Sequence, residues 1–222
     1  MKSAPVQTPL QTQNPSQLLK PISNLSFDEP SHTYFFNGAK IGVSVTGVVS
    51  HDLSEFARQK IAETKPEWEP RGNCCHQALE AHLTGQTVEM GDYAEWVEPL
   101  LEFPLWDRYG AIGVEYRLVD RQARYAGSCD FLLKGRDRDD RPAVILGDLK
   151  SKSANGKCGD HRAQLGAYAR MLQQWHSTLE ITRCIVVNSF PGRVELSVHT
   201  LQECIDAWDQ RWKDYCDWEP DF

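Results

Sequence analysis

The sequence predicts an α/β protein built on a mixed central β-sheet flanked by α-helices. Three observations carry this expectation. In the middle of the chain, helical spacing of apolar residues gives way to short strand-like runs: Ile112–Val119, Arg124–Leu133 and Ala143–Lys150. Val144-Ile145-Leu146 is apolar on consecutive residues, as expected of a central strand buried on both faces. A strong helix pattern from His161 to Trp175 then separates these runs from a strand pair, Arg183–Ser189 and Arg193–His199, around Pro191-Gly192.

The remaining elements follow in chain order. Residues 1–22 are rich in Gln, Pro, Ser and Thr and read as a disordered tail, which leaves 23–222 as one domain. His32–Phe36, the turn Asn37-Gly38 and Lys40–Val43 read as a β-hairpin, because Asn-Gly supplies the positive φ angles of a tight turn. Leu53–Ala62 is amphipathic, with Asp52 or Ser54 as N-cap, and Gly72–Leu83 is a second helix stopped by Gly85. Asp92–Tyr109 is helical in pattern but broken near Pro104. Leu201–Cys216 closes the chain as a helix whose apolar stripe includes Cys204, Ile205, Trp208, Trp212 and Tyr215.

Composition narrows the class. With 222 residues, 41% hydrophobic and 25% charged, the chain can bury a core without disulfides or metals. No apolar run is long enough to span a membrane, and the N-terminus lacks the apolar stretch of a secretory signal, so a cytoplasmic protein is expected. Seven cysteines with no Cys-x-x-Cys pair argue for reduced thiols rather than a disulfide framework or zinc ribbon. The net charge of −7 is uneven: from Arg108 to Arg162 there are 12 Lys and Arg against 8 Asp and Glu, a net +4, and the remainder carries −11. A basic segment inside an acidic chain suits a focused phosphate site, although the run Arg136–Arg141 also reads as a solvated turn.

The candidate chemistry centres on Gly147-Asp148-Leu149-Lys150, at the end of the most apolar strand. Alternation puts Asp148 and Lys150 on one face, where an acid and a lysine could hold a cation and an activated water. Asp-x-Lys recurs by chance, so a surface ion pair is the plain alternative. Asp130, inside another apolar strand and followed by Phe131-Leu132-Leu133, is costly to bury unless a cation or an arginine meets it. Gln164 and Tyr168 share a helix face beside the basic loop containing Lys152, and could position a nucleotide, or simply pack. His76 and Glu80 lie one turn apart on an inward-looking face, where a satisfied core histidine is the competing reading. Glu115 lies in an alternating strand, and an exposed face would explain it equally well.

In the order Gly-x-x-His76, Glu115, Gly127-x-x-Asp130, Asp148-x-Lys150 and Gln164-x-x-x-Tyr168, the chain resembles the PD-(D/E)XK nuclease superfamily, and within it the RecB-like branch with its phage-type exonucleases. The segment Tyr34–Gly38 with Ser44-Val45-Thr46 is similar to the opening of small exonucleases of that branch, so the resemblance runs from about residue 31 to Tyr168. It implies a restriction-endonuclease-like fold and Mg²⁺ or Mn²⁺ held by His76, Asp130, Asp148 and the Leu149 carbonyl, a ligand set those ions accept. It further implies that Lys150 polarises the attacking water, that Glu115 supports the site, and that Gln164, Tyr168 and Lys152 bind substrate. The iron–sulfur cluster of some relatives is not expected, because Cys184, Cys204 and Cys216 are 20 and 12 residues apart rather than in a compact run.

The function these features imply is a metal-dependent DNA exonuclease acting on ends or single strands in recombination, repair or phage DNA metabolism, alongside a recombination or replication protein. A restriction-like or structure-specific endonuclease, a non-catalytic DNA-binding domain and a tryptophan-rich interaction module remain as alternatives. With Asp148 and Lys150 taken to lie at a sheet edge, their removal should abolish cleavage at modest cost in stability.

Overall fold

The computed structural model describes residues 18–88, 90–122 and 124–218. The expected tail lies outside these residues as far as residue 17, but its last part is ordered. The Leu19 N–H donates to the Ile112 carbonyl (2.7 Å), the Tyr116 hydroxyl donates to the Lys20 carbonyl (2.7 Å), and Ile22 is buried. Apolar contacts to the neighbouring strand thus extend the folded region beyond what composition suggests.

A small sheet opens the fold: β1 (Leu25–Asp28), β2 (Thr33–Phe36) and β3 (Ala39–Lys40), antiparallel in that order. Asn37 (φ 52°) and Gly38 (φ 80°) form the turn that Asn-Gly favours, although the following strand stops at Lys40. Next come β4 (Val43–Ser44) and α1 (Val45–Val49), and then α2, a single helix from Glu55 to Leu83 capped by Ser54. Two helices were expected here. Pro66 and Pro70 each remove a helical hydrogen bond, but this part of the helix is exposed, so water can satisfy the freed carbonyls and the helix runs on. Asp52, the other cap candidate, instead pairs with Arg211.

A short turn at Gly91–Tyr93 leads to α3 (Ala94–Leu101) and α4 (Leu105–Arg108), and Tyr109 already belongs to the next strand. The main sheet contains β5 (Tyr109–Val119), β6 (Tyr125–Arg136), β7 (Pro142–Ser151), β8 (Arg183–Phe190) and β9 (Arg193–His199), with α5 (Arg162–Trp175) between β7 and β8 and α6 (Leu201–Asp217) at the end. Its order is β4-β6-β7-β8-β9, with β5 also on β6; β7 and β8 are parallel and β5-β6-β7 antiparallel. The fold is therefore α/β with a mixed sheet flanked by helices. β7 is central, as its apolar run predicts.

Two cores lie on opposite faces of this sheet. One is formed by α5 and α6 through Leu165, Met171, Leu172, Ile205 and Trp208; the other by α2, α3 and α4 through Leu79, Leu83, Val97, Leu100 and Trp106. Trp208 and Trp212 stack on each other (5.9 Å), and Trp208 is buried, so the helical tryptophans serve packing rather than an interaction patch. All seven cysteines are free thiols. Among the described residues, no helix is long and apolar enough to cross a membrane.

Candidate functional site

The site lies where the sheet forks. β6 carries β5 along one edge, from Ala126 to Gly135. On its other edge, β7 pairs only from Phe131 to Arg136, and β4 only at Tyr125 and Ala126. Residues 127–130 fall in the gap between them. Gly147 allows the last close contact before the fork, since a Cβ there would sit 1.8 Å from the Phe131 ring.

Asp130 stands at the head of this gap, and its carboxylate accepts from the Leu149 N–H across it. In extended backbone the N–H and C=O of one residue point to the same side, so the Leu149 carbonyl also faces the gap.

Across the sheet, Glu115 is opposite Asp130 in register, flanked by the pairs Val114–Phe131 and Tyr116–Cys129, but the two are not bridged. Glu115 has φ +44°, an unusual value for a residue with a Cβ. At this point both strands change face. Val114 and Phe131 pack in the core under α2 and α3, while Tyr116 and Cys129 pack in the core under α5 and α6. That twist turns Glu115 and Asp130 out of the regular alternation and towards His76, on the buried half of α2. The His76 Nδ1 is 3.4 Å from Glu115 Oε1 and 3.6 Å from Asp130 Oδ2, and ligand atoms from all three residues lie within 4.8 Å of one another.

Asp130 and Asp120 differ in their electrostatics. Asp120 is also buried, but the Arg124 guanidinium (2.8 Å) and the Gln174 amide (2.9 Å) meet its charge; despite burial, its carboxyl stays below the ordinary range. Among the described residues, no arginine pairs with Asp130. Burial pushes its carboxyl up to about 7, with His76 and Lys150 offsetting only part of that cost and the Asp148 charge adding to it. Burial alone would depress His76, but Asp130 and then Glu115 outweigh it and raise the imidazole to about 9. Two carboxylates and an imidazole, one carboxylate short of positive charge, fit a small hard divalent cation.

Asp148 lies beside Lys150 on the most apolar strand, as expected, but not at a sheet edge. It is on the central strand, fully buried, and outside the three-residue cluster. Lys150 Nζ approaches its Oδ2 at 2.7 Å, off the line of a well-directed hydrogen bond, so that oxygen has no hydrogen-bond partner among the described residues. The other oxygen accepts from the Gln164 amide (2.9 Å), which also donates to the Tyr168 hydroxyl (3.0 Å). Tyr168 is 3% exposed, burial raises its hydroxyl well above the ordinary range, and that hydroxyl is held by Gln164. Burial pulls Lys150 down, but Asp148 and Asp130 outweigh it and keep the ammonium charged. Removing Asp148 would strand that charge beside an unpaired amide, so it should cost more than the modest amount expected of a sheet-edge residue.

A cleft of about 820 Å³ opens onto the cluster, lined by His76, Glu80, Glu115, Asp130, Gln164 and Tyr168. Lys150 and Lys152 do not line it. Lys152 is tied down at the end of β7, where its N–H donates to Ser189 and its carbonyl accepts from the Trp96 indole (2.7 Å). Glu80 does line the cleft, and burial followed by Glu115 raises its carboxyl. The opposite wall, with Phe27, His32, Tyr34 and Arg117, was not among the expected site residues; the long-range seating of the hairpin brings the first three there, and β5 carries Arg117.

No protein-family model and no curated protein matches the chain. Among solved structures, it is similar to that described as "Crystal structure of SSO0001", with 16% identity over 80% of this chain and 76% of that one, at a TM-score of 0.44.

Proposed function

We propose that this chain is a Mg²⁺- or Mn²⁺-dependent deoxyribonuclease of the PD-(D/E)XK type, acting on DNA ends as an exonuclease. The observation that carries this reading is the convergence of His76, Glu115 and Asp130 on one cleft, with Asp148 and Lys150 on the next strand. His76, Glu115 and Asp130 would hold the cation, with the Leu149 carbonyl beside them. When bound, the cation supplies Lewis-acid charge at the scissile phosphate and lowers the pKa of water. Lys150 lies outside the cleft lining and is kept protonated by its two acids. It would donate to a phosphoryl oxygen at the cluster and oppose the negative charge that develops there, while the attacking water would release its proton to solvent. It is a cationic donor, not a general base. Gln164 and Tyr168 fix the Asp148 carboxylate, and through it the Lys150 ammonium, so the donor does not reorganise during the reaction.

The local positive excess between Arg108 and Arg162 fits a phosphate-bearing substrate, and a cleft walled by α2 on one side and the hairpin on the other suits a strand end. Action on DNA in the cytoplasm, by a cellular or phage-encoded enzyme working with a recombination or replication protein, is the setting this reading entails. The test is cleavage of end-labelled linear DNA and of covalently closed circles in Mg²⁺, Mn²⁺ or EDTA. Loss of linear DNA alone, only with metal, is the expected result. Cutting of circles would transfer the chain to the endonucleases, and no cleavage with either metal would count against catalysis.

A further inference from the structure

The hairpin wall of the cleft has no role in the chemistry above, yet its composition is unusual for a surface. Leu25, Phe27, Tyr34 and Phe36 lie on one face of the β1–β2 pair, in the register Leu25–Phe36 and Phe27–Tyr34. Leu25, Tyr34 and Phe36 pack against the main core. Phe27 does not: the hairpin face runs past the core at this residue and out over the cleft, where Phe27 and Tyr34 both form part of the lining. Their ring centroids are 4.5 Å apart, and the Arg117 guanidinium lies 5.6 Å from the Phe27 ring. The Tyr34 hydroxyl is 3.2 Å from Ser128 Oγ, two residues before Asp130 on β6, so the aromatic wall is tied to the strand that carries the cluster. The hairpin is held from behind by the Asn24–Asn37 side-chain bond (3.1 Å) and the Asn37 N–H to the Asn24 carbonyl.

From this geometry we infer that Phe27 and Tyr34, flanked by Arg117, form a stacking subsite for an unpaired nucleobase of a single strand whose backbone crosses the His76–Glu115–Asp130 cluster. This inference rests on the nuclease reading and deepens it by naming the substrate class as single-stranded DNA, or a frayed end. An aromatic face accepts any base, so the subsite confers preference for strandedness rather than sequence. Arg117 is exposed, and a base stacking on the Phe27 face it now covers would displace its guanidinium towards the phosphate of the same strand. A paired base in a duplex has both faces occupied by its neighbours and cannot use this wall without leaving the stack.

The test measures binding in EDTA, where no cleavage occurs, using a single-stranded oligonucleotide with 2-aminopurine near its end and a blunt duplex of the same sequence. Wild-type protein should quench the probe in the single strand and bind it at least about tenfold more tightly than the duplex. Phe27→Leu keeps the apolar bulk but has no π-face; it should lose the quench and weaken single-strand binding by about tenfold, whereas Phe27→Tyr should retain both. With metal, Phe27→Leu should raise KM and leave kcat nearly unchanged. Metal-dependent cleavage with no quench, or with Phe27→Leu equal to wild type in quench and affinity, would overturn the subsite and leave the nuclease reading standing. Neither cleavage nor binding to either DNA would overturn both.

Discussion

Glu115 combines backbone strain with a place in the cluster of His76 and Asp130. A left-handed conformation costs a residue with a Cβ on the order of 1–2 kcal/mol, and such strain persists where surrounding structure over-determines it. Glu115→Gly should therefore hold stability or raise it by up to about 1 kcal/mol, while Mn²⁺ affinity falls roughly tenfold or more. Thermal unfolding and a metal titration on the same samples check this; lower stability with unchanged affinity would assign Glu115 a purely structural role. The pH dependence follows from its neighbours. His76 is raised from 6.5 to about 9, so its contribution to stability is complete below 6.5 and lost as pH rises through 9. Asp130 is raised from 3.8 to about 7, so it too favours the fold at low pH and loses that contribution as pH rises through 7. Metal-free protein should lose stability from about pH 4 to pH 9. Mg²⁺, which needs both groups deprotonated, should raise Tm more at pH 9 than at pH 6. An increment independent of pH would remove His76 and Asp130 from the ligand set. Asp130 was legible in the sequence because an acid inside an apolar strand needs a partner. Glu115 was named only through the family resemblance; its direction was not legible, because its positive φ and the change of face break the alternation from which it would be read.

At the scale of elements, the sequence patterns located β5 to β8, α5 and α6 closely, because each has a buried face, and β9 through its turn at Pro191-Gly192 although its faces are exposed or half-buried. The continuity of α2 was hidden, since Pro66 and Pro70 are helix breakers unless the freed carbonyls reach water. Neither was the fork between β6 and β7 legible: it depends on which residues pair, and pairing leaves no mark in either strand's own period. Between α5 and α6 the packing tolerance is narrow. A Cβ on Gly166 would lie 2.0 Å from the Cys204 carbonyl oxygen and 2.8 Å from Trp208 Cβ. Gly166→Ala must therefore push α6 away from α5, at about 1–3 kcal/mol, with Tm falling by roughly 3–10 °C. A differential scanning calorimetry trace matching wild type would show that the two helices are not packed this closely.

For the whole molecule, an acidic chain places its cluster of His76, Glu115 and Asp130 at one gap of a mixed sheet, with one core on each face of the strands. Asp148 and Lys150 connect the site to the central strand, and the hairpin and α2 enclose the approach. The candidate site was readable as a set of residue types but not as a geometry: the resemblance implied Asp148 as a metal ligand and Glu115 as a support, and the structure brings Glu115 together with His76 and Asp130 in one compact cluster. The central claim is that this cluster makes the chain a metal-dependent nuclease. Its most direct test is single-turnover cleavage of an end-labelled DNA strand in Mn²⁺ by wild type, Asp130→Asn and Lys150→Ala, each first checked for a cooperative melt. The account predicts cleavage by wild type that EDTA abolishes, and a loss of about a hundredfold or more in both variants. Wild-type rates in a folded Asp130→Asn variant would contradict it.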